Sequence, residues 1–341
     1  VRFHVVGLPW TNTTKAYSWC AYTTKVRRFC DMMTDLGHEV ILYAGPENEA
    51  QVSELVSLVI PKNDPANIPE FTDENFEFFD RLVIQALSTR LAPRDFICII
   101  GGYAQRDIAE AYPGHMSVEY GVGYAGTFSA YRVFESYAWM HMVYGQTGAY
   151  EADGHYFDAV IPNYFDPKEF KYSGTPEDYF LYIGRLIDRK GWRLAVEVTQ
   201  RMGVRLILAG AGDPGDLPDN CTYVGVVDPE QRSDLLGGAV ATFVPTQYIE
   251  PFGGVHVESM LCGTPVITTD WGVFTETVTP KVGFRCRSFR EFCEATKLAP
   301  ELNRRQIRRY ALSRFSTEVV APQYEMYFQR LLTLWEDGFY A

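Results

Sequence analysis

In the second half of the chain, Glu250 and Glu258 enclose the seven residues PFGGVHV within EPFGGVHVE, and Arg185 and Lys190 lie five apart in YIGRLIDRKGW. Two carboxylates so close raise the question of an acid/base pair. If the intervening residues were all helical, eight steps of roughly 1.5 Å would put them about 12 Å apart. Carboxyl pairs that flank one glycosidic bond stand about 5–9.5 Å apart. The spacing therefore predicts that Glu250 and Glu258 hold opposite ends of one elongated ligand. Carboxylates accept hydrogen bonds from hydroxyls, and a nucleotide sugar offers hydroxyls at both ends.

The elements around these residues agree. VATFVP reads as a strand, Pro251 with Gly253 and Gly254 as a turn with unobstructed N–H groups, and VHVESMLCG as a helix. A helix N-terminus with free amides is an anion site. Arg185 and Lys190 follow a strand that ends at Gly184, and Gly191 opens a helix. Two cations there suit a diphosphate, although Arg and Lys in a surface loop are commonly just solvated. AGAGDPG matches G-x-G-x-x-G at Gly210, Gly212 and Gly215, but Pro214 sits inside it and the strand CTYVG follows. It reads as a tight loop with a ligand-facing edge at Gly210, not as a nicotinamide-cofactor fingerprint.

The 341 residues, 47% apolar and 22% charged, predict a two-domain soluble protein of cytoplasmic location, with no membrane span and no secretory signal. Seven scattered cysteines without a CxxC pair argue against a disulfide framework and a zinc ribbon. Of the net charge of −12, residues 1–163 carry −9 (11 Lys/Arg against 20 Asp/Glu) and residues 164–341 carry −3. The acidic first half disfavours nonspecific binding to nucleic acid. Lys15, Lys25, Arg27 and Arg28 read as a solvated helix face.

Strand and helix patterns alternate along both halves. RFHVV, a helix on Tyr22, Val26, Phe29, Met33 and Leu36 closed by Gly37, and EVILYAG form a parallel unit. DFICIIGG, HMSVEYG and DAVIPN read as further strands, and FSAYRVFESYAWMHMVYG as one helix. That helix carries Phe128, Tyr131, Phe134, Tyr137, Trp139 and Tyr144, a stacking platform or, as such stripes commonly are, core. The second half restarts with YFLYIG, a helix over 192–202, VRLILAG, CTYVG, a helix near 229–238, VATFVP and PVITTD. The expected fold is α/β with two doubly wound Rossmann-like sheets and a ligand cleft between them. The expected domains are 1–163, 164–320 and a closing helix in 321–341, YEMYFQRLLTLW.

GRLIDRKG, VPTQYIEPFGGVHVESMLCGTPVITTDWGVFTE and VIPNYFDPKEF together resemble the retaining glycosyltransferases of the GT-B fold, family-four type (glycosyl transferases group 1), from about Asp158 to the C-terminus. The resemblance implies that Arg185 and Lys190 hold the donor diphosphate and that Glu250 contacts the donor sugar. Phe252, Gly253, Gly254 and Val255 would supply amides, Gly184 and Gly210 would line the same site, and Glu258 would hold the ribose. It also implies a UDP- or GDP-linked donor, a C-terminal helix that returns to the first domain, and no metal or other cofactor. The chain has no Asp-x-Asp.

The first half departs from the family pattern. GLPWTNTTKAYS replaces a Gly-Gly loop after the first strand. Where relatives carry a histidine after the strand HMSVEYG, the nearest equivalent is Glu119. Glu119 reads either as a catalytic contact to donor sugar or acceptor, or as a loop carboxylate capping amides. His115 reads as the displaced histidine or as packing at a strand edge, and His256 as packing. The start of the chain and VEYGVGYAGTFSAYRVFESYAWMH are similar, more faintly, to transferases encoded by bacteriophages. The expected activity is sugar transfer from a nucleotide diphosphate to a glycan, a virion protein or a hydroxymethylated DNA base, the last disfavoured by the acidic first half. The rival readings are a nucleotide-sugar 2-epimerase, a phosphorylase with a cofactor-bearing lysine, and a noncatalytic sugar-nucleotide-binding subunit.

Overall fold

The structure is a computed structural model and describes residues 1–59, 74–147 and 153–336. The chain divides into two compact units. Unit 1 comprises Val1–Glu135, Met140–Tyr164 and the chain from Val320; unit 2 comprises Ser136–Trp139 and Phe165–Val319. The last residues of the predicted closing segment, 337–341, lie outside the described residues.

In unit 1 the elements run β1 (Arg2–Val6), α1 (Ala21–Asp35), β2 (Glu39–Ala44), β3 (Glu54–Ser57), α2 (Glu74–Leu87), β4 (Phe96–Ile99), α3 (Arg106–Ala111), β5 (Met116–Val122), β6 (Tyr131–Phe134), α4 (Tyr137–Thr147, of which unit 1 holds the part from Met140) and β7 (Asp158–Val160). Among the described residues they build a seven-stranded parallel sheet in the order β3-β2-β1-β4-β5-β6-β7. The inner strands β1, β2, β4, β5 and β6 bury both faces, as parallel strands between helices do. On one face Phe3 and Val5 pack with Phe29 and Met33 of α1, and on the other Val6 and Ile41 pack with Phe79 and Val83 of α2.

Unit 2 contains β8 (Tyr179–Ile183), α5 (Trp192–Met202), β9 (Arg205–Ala209), β10 (Cys221–Tyr223), α6 (Pro229–Gly238), β11 (Thr242–Val244), α7 (Gly254–Leu261), β12 (Val266–Thr269), α8 (Phe274–Thr277), β13 (Gly283–Cys286), α9 (Phe289–Leu298) and α10 (Arg304–Phe315). Its six-stranded parallel sheet is ordered β10-β9-β8-β11-β12-β13. Alternation along β8 sends Leu181 and Ile183 to the core beneath α7 and α10, and Phe180 and Tyr182 to the core beneath α5 and α9. The last helix, α11 (Thr317–Glu336), adds Val320, Tyr324 and Phe328 to the core of unit 1. Among the described residues no helix is long and apolar enough to cross a membrane.

Two sequence expectations are corrected. The helix expected from Phe128 is a strand followed by a helix: Tyr131–Phe134 is β6, hydrogen-bonded between β5 and β7, and only from Tyr137 is the chain helical. The aromatic stripe is therefore split, with Tyr131 and Phe134 buried in the sheet and Tyr137 exposed. Lys25, Arg27 and Arg28 do not form a solvated face either, since all three are buried. Lys25 pairs with Glu135, Arg27 lies 3.7 Å from Asp31, and Arg28 donates to the Tyr164 carbonyl at 2.9 Å.

Candidate donor site in unit 2

The strand order of unit 2 reverses between β8 and β11, which is where ligands bind in open parallel sheets, beyond the carboxyl ends of the strands. The segments that follow these two strands are tied together. Gln247 N–H donates to the Arg189 carbonyl at 2.8 Å, and the Arg189 guanidinium and Lys190 ammonium lie 4.2 and 5.2 Å from the centre of the Tyr248 ring. The close approach depends on Gly191, which sits at φ +73° and where a Cβ would lie 2.0 Å from the Pro245 carbonyl oxygen. A side chain there would push the two loops apart.

This apposition places Lys190 Nζ 2.8 Å from each carboxylate oxygen of Glu250. Glu250 is buried and Lys190 half-buried, so the ion pair keeps one edge in water. Gly253 covers the other side of Glu250: at φ +72° it starts α7 without a side-chain cap, and a Cβ there would meet Glu250 Cγ at 2.7 Å. His256 Nδ1–H donates to the Gly253 carbonyl, and the buried ring packs on Phe252 and Phe274. Burial lowers the His256 pKa to about 4, so the imidazole is neutral and packs as expected. The uncapped first turn of α7 leaves backbone N–H groups available to an anion beside Lys190.

Glu258, buried in α7, pairs with Arg232 of α6. Arg232 is fixed by the start of its helix: Asp228 accepts from Gln231 N–H at 2.9 Å, Gln231 Oε1 accepts from Asp228 N–H at 3.1 Å, and Pro229 follows the cap. DPEQR is a legible capping box, and a cation in a helix's first turn opposes the macrodipole unless a carboxylate faces it. That capping box is the signal for Arg232 in the sequence, which lies outside the donor motifs. Ser136 lies outside them as well. Its hydroxyl donates to the Pro251 carbonyl at 2.6 Å and holds the loop between Glu250 and α7.

Of the other expected donor residues, Arg185 is exposed, and its guanidinium has no hydrogen-bond or ion-pair partner among the described residues. Its carbonyl accepts from the Tyr182 hydroxyl at 2.9 Å. Gly184 and Gly210 abut one another, Gly184 N–H donating to Ala209 O at 2.9 Å. No helix starts in the Gly210–Gly215 loop; Tyr223 OH donates to the Gly210 and Gly212 carbonyls at 2.8 and 2.9 Å. Gly254 lies beside Glu258, and Val255 is in the first turn of α7. Glu119 belongs to unit 1. Its carboxylate accepts from Phe128 N–H (3.0 Å), Ser129 N–H (2.9 Å) and Tyr124 OH (3.0 Å), and burial pushes its pKa up to about 7. His115 Nε2–H donates to the Ala92 carbonyl at 3.1 Å. Among the described residues no group of three or more His, Cys, Asp or Glu is placed to hold a metal ion.

Residues 166–303 match the family described as Glycosyl transferases group 1. An uncharacterized glycosyltransferase of Methanocaldococcus jannaschii is 31% identical over 120 residues, which cover 31% of this chain and 30% of that protein. The chain thus spans about a third of the length of that relative. Structural similarity extends further. AviGT4, a glycosyltransferase involved in avilamycin A biosynthesis, superposes with a TM-score of 0.73 at 22% identity over 97% of this chain and 98% of that one. HepE from Anabaena, solved in complex with UDP and glucose, gives 0.67 at 14% identity over 96% and 99%. Residues 166–303 of unit 2 are thus similar to the group 1 glycosyl transferases, and the two parallel-sheet Rossmann-like units have the fold of the GT-B glycosyltransferases.

Proposed function

We propose that the protein transfers a sugar from a nucleoside-diphosphate sugar to an acceptor hydroxyl, with retention at the anomeric carbon and without a metal ion. The observation that carries this reading is the Lys190–Glu250 pair at the carboxyl ends of β8 and β11, beside the uncapped N-terminus of α7. An ammonium has three donors, so at least one N–H of Lys190 remains for a diphosphate oxygen after Glu250 is satisfied. Exposed Arg185 supplies the second charge. Glu250 takes donor-sugar hydroxyls, the Phe252–Val255 amides take sugar or phosphate oxygens, and Gly184 and Gly210 line the phosphate side. Glu258, steadied by Arg232, takes the ribose hydroxyls.

As the bond from the anomeric carbon to the phosphate oxygen breaks, charge develops on the leaving diphosphate, where fixed cations and amides already stand. The acceptor oxygen bonds to the same face of the sugar, and its proton passes to the departing phosphate. No side chain serves as a covalent nucleophile. HepE, similar in fold, has been solved with UDP-glucose, which makes UDP-sugars the first donors to test and GDP-sugars the second. The acceptor is a glycan, a virion protein or a modified DNA base, and the −9 charge of residues 1–163 speaks against DNA.

Incubation with a UDP- and GDP-sugar panel, with nucleotide release and product anomer read by NMR, tests the reading. We expect an α-linked donor to give an α-linked product with or without a chelator. Lys190→Ala should lower turnover by about 10²–10³-fold while the fold persists. An inverted anomer, or strict dependence on added divalent metal, overturns the mechanism.

A further inference from the structure

Unit 1 contains a groove of about 500 Å³, a size usual for small-molecule sites, that shares no residue with the Lys190–Glu250 site. One wall is the connection from β5 to β6, held by buried polar groups. Glu119 grips the amides of Phe128 and Ser129, Arg132 donates to Thr127 Oγ1 at 3.0 Å, and Ser129 Oγ donates to the Ser117 carbonyl on the groove floor. The opposite wall is the segment leading into α3. Tyr103 N–H donates to the Gly126 carbonyl at 3.1 Å, and the Tyr103 ring lies so close to Gly126 that a Cβ there would come within 2.7 Å of it. Tyr103 is thereby anchored, yet it remains 58% exposed. An anchored, exposed aromatic side chain loses little conformational entropy when a ligand covers it.

The lining also limits the chemistry of the occupant. Tyr103 and Phe128 lie with ring centres 6.3 Å apart, and Tyr131 continues the apolar surface. Beside them Arg106 Nε donates to Glu110 at 2.6 Å, one helical turn on, so N–H donors and carboxylate acceptors stand side by side with their charges cancelled. That neutral pair does not favour a phosphate-bearing ligand. Both strands beneath the groove are interior to the sheet, β5 between β4 and β6 and β6 between β5 and β7, so no strand edge is open to an extended peptide. Aromatic faces suit the CH faces of a pyranose, and adjacent donors and acceptors suit its vicinal hydroxyls.

We propose that this groove binds a neutral saccharide chain, and that Glu119 acts there by holding the wall. The proposal does not depend on the donor reading for unit 2. The test is an array of neutral mono- and oligosaccharides probed with the full chain, followed by calorimetry of the hits with and without UDP. At least one neutral oligosaccharide should bind and not be displaced by UDP. Tyr103→Ala, at an exposed position, should weaken it about tenfold or more. Ala109→Trp, which fills the groove from α3, should weaken it as much, and UDP affinity should be unchanged in both variants. Failure of every saccharide to bind, displacement by UDP, or affinity unaltered in both variants overturns the proposal.

Discussion

Glu250 and Glu258 in unit 2 and Glu119 in unit 1 are all buried, but their partners differ in kind. Glu250 and Glu258 each face a cation that keeps an edge in solvent, Lys190 and Arg232. Glu119 faces two backbone amides and a phenol, all of them on the loop that follows its own strand. A partly solvated ion pair can exchange part of its hydrogen bonding with an incoming ligand, because water already competes there. A carboxylate bonded to its own loop loses that loop if it turns elsewhere. The first arrangement suits recognition, the second suits support, and the difference can be tested from both sides.

The strongest test removes the geometry that brings Lys190 to Glu250. Gly191→Ala combines a φ of +73° with a Cβ 2.0 Å from the Pro245 carbonyl oxygen, which cannot be relieved by a side-chain rotation. The loss should be roughly 3 kcal/mol or more in unfolding free energy, together with donor binding. Gly203→Ala is the control. It also has positive φ, +65°, but a Cβ there meets nothing within 4 Å, so it should cost about 1 kcal/mol and leave donor binding intact. Equal effects of the two variants on UDP affinity, measured by calorimetry, would remove the loop apposition from the account of the site.

A smaller effect separates recognition from stability at Glu258. Arg232→Met leaves a buried carboxylate without its cation and should cost about 1–3 kcal/mol, less than a fully buried pair because Arg232 is partly exposed. Adding Glu258→Met should restore most of that loss, since an apolar pair of similar volume replaces two desolvated charges. Nucleotide affinity should stay low in the double variant. If UDP binding returned along with stability, the pair would belong to the architecture and not to the ligand.

Much of unit 2 is legible from the sequence because its signals are local. Glycines and prolines mark the loops at Gly184–Gly191 and Glu250–Gly254, and the strands between them are short apolar runs. What is missed comes from far along the chain. Ser136 reaches Pro251 across 115 positions and Arg232 reaches Glu258 across 26, and no spacing rule joins them. In unit 1 the error over Phe128–Tyr137 has a physical source. β6 is buried on both faces, so YRVF lacks the alternation of a half-buried strand and merges with the apolar helix after it. Lys25, Arg27 and Arg28 mislead for the converse reason: charge suggests solvent, whereas Lys25 and Arg28 are held inside by Glu135 and the Tyr164 carbonyl.

The smallest expected effect examines the supporting carboxylate itself. Burial raises the Glu119 pKa to about 7, opposed by its bonds from Ser129, Phe128 and Tyr124. Between the ordinary glutamate range, about 4.3, and that value, the folded protein retains a proton that the unfolded chain has released. The unfolded state therefore binds fewer protons, and the Glu119 contribution to stability declines as pH rises through this window. Glu119→Gln keeps an amide oxygen for the Phe128 and Ser129 N–H groups and has no proton to lose. Its Tm relative to wild type should accordingly rise from pH 5 to pH 8, by about 2–4 °C. Thermal scans of both proteins at the two pH values decide the matter. A constant difference would mean that Glu119 is ionised throughout, with its three donors outweighing burial, and the contrast with Glu250 and Glu258 would then rest on mobility of the partner instead of on charge.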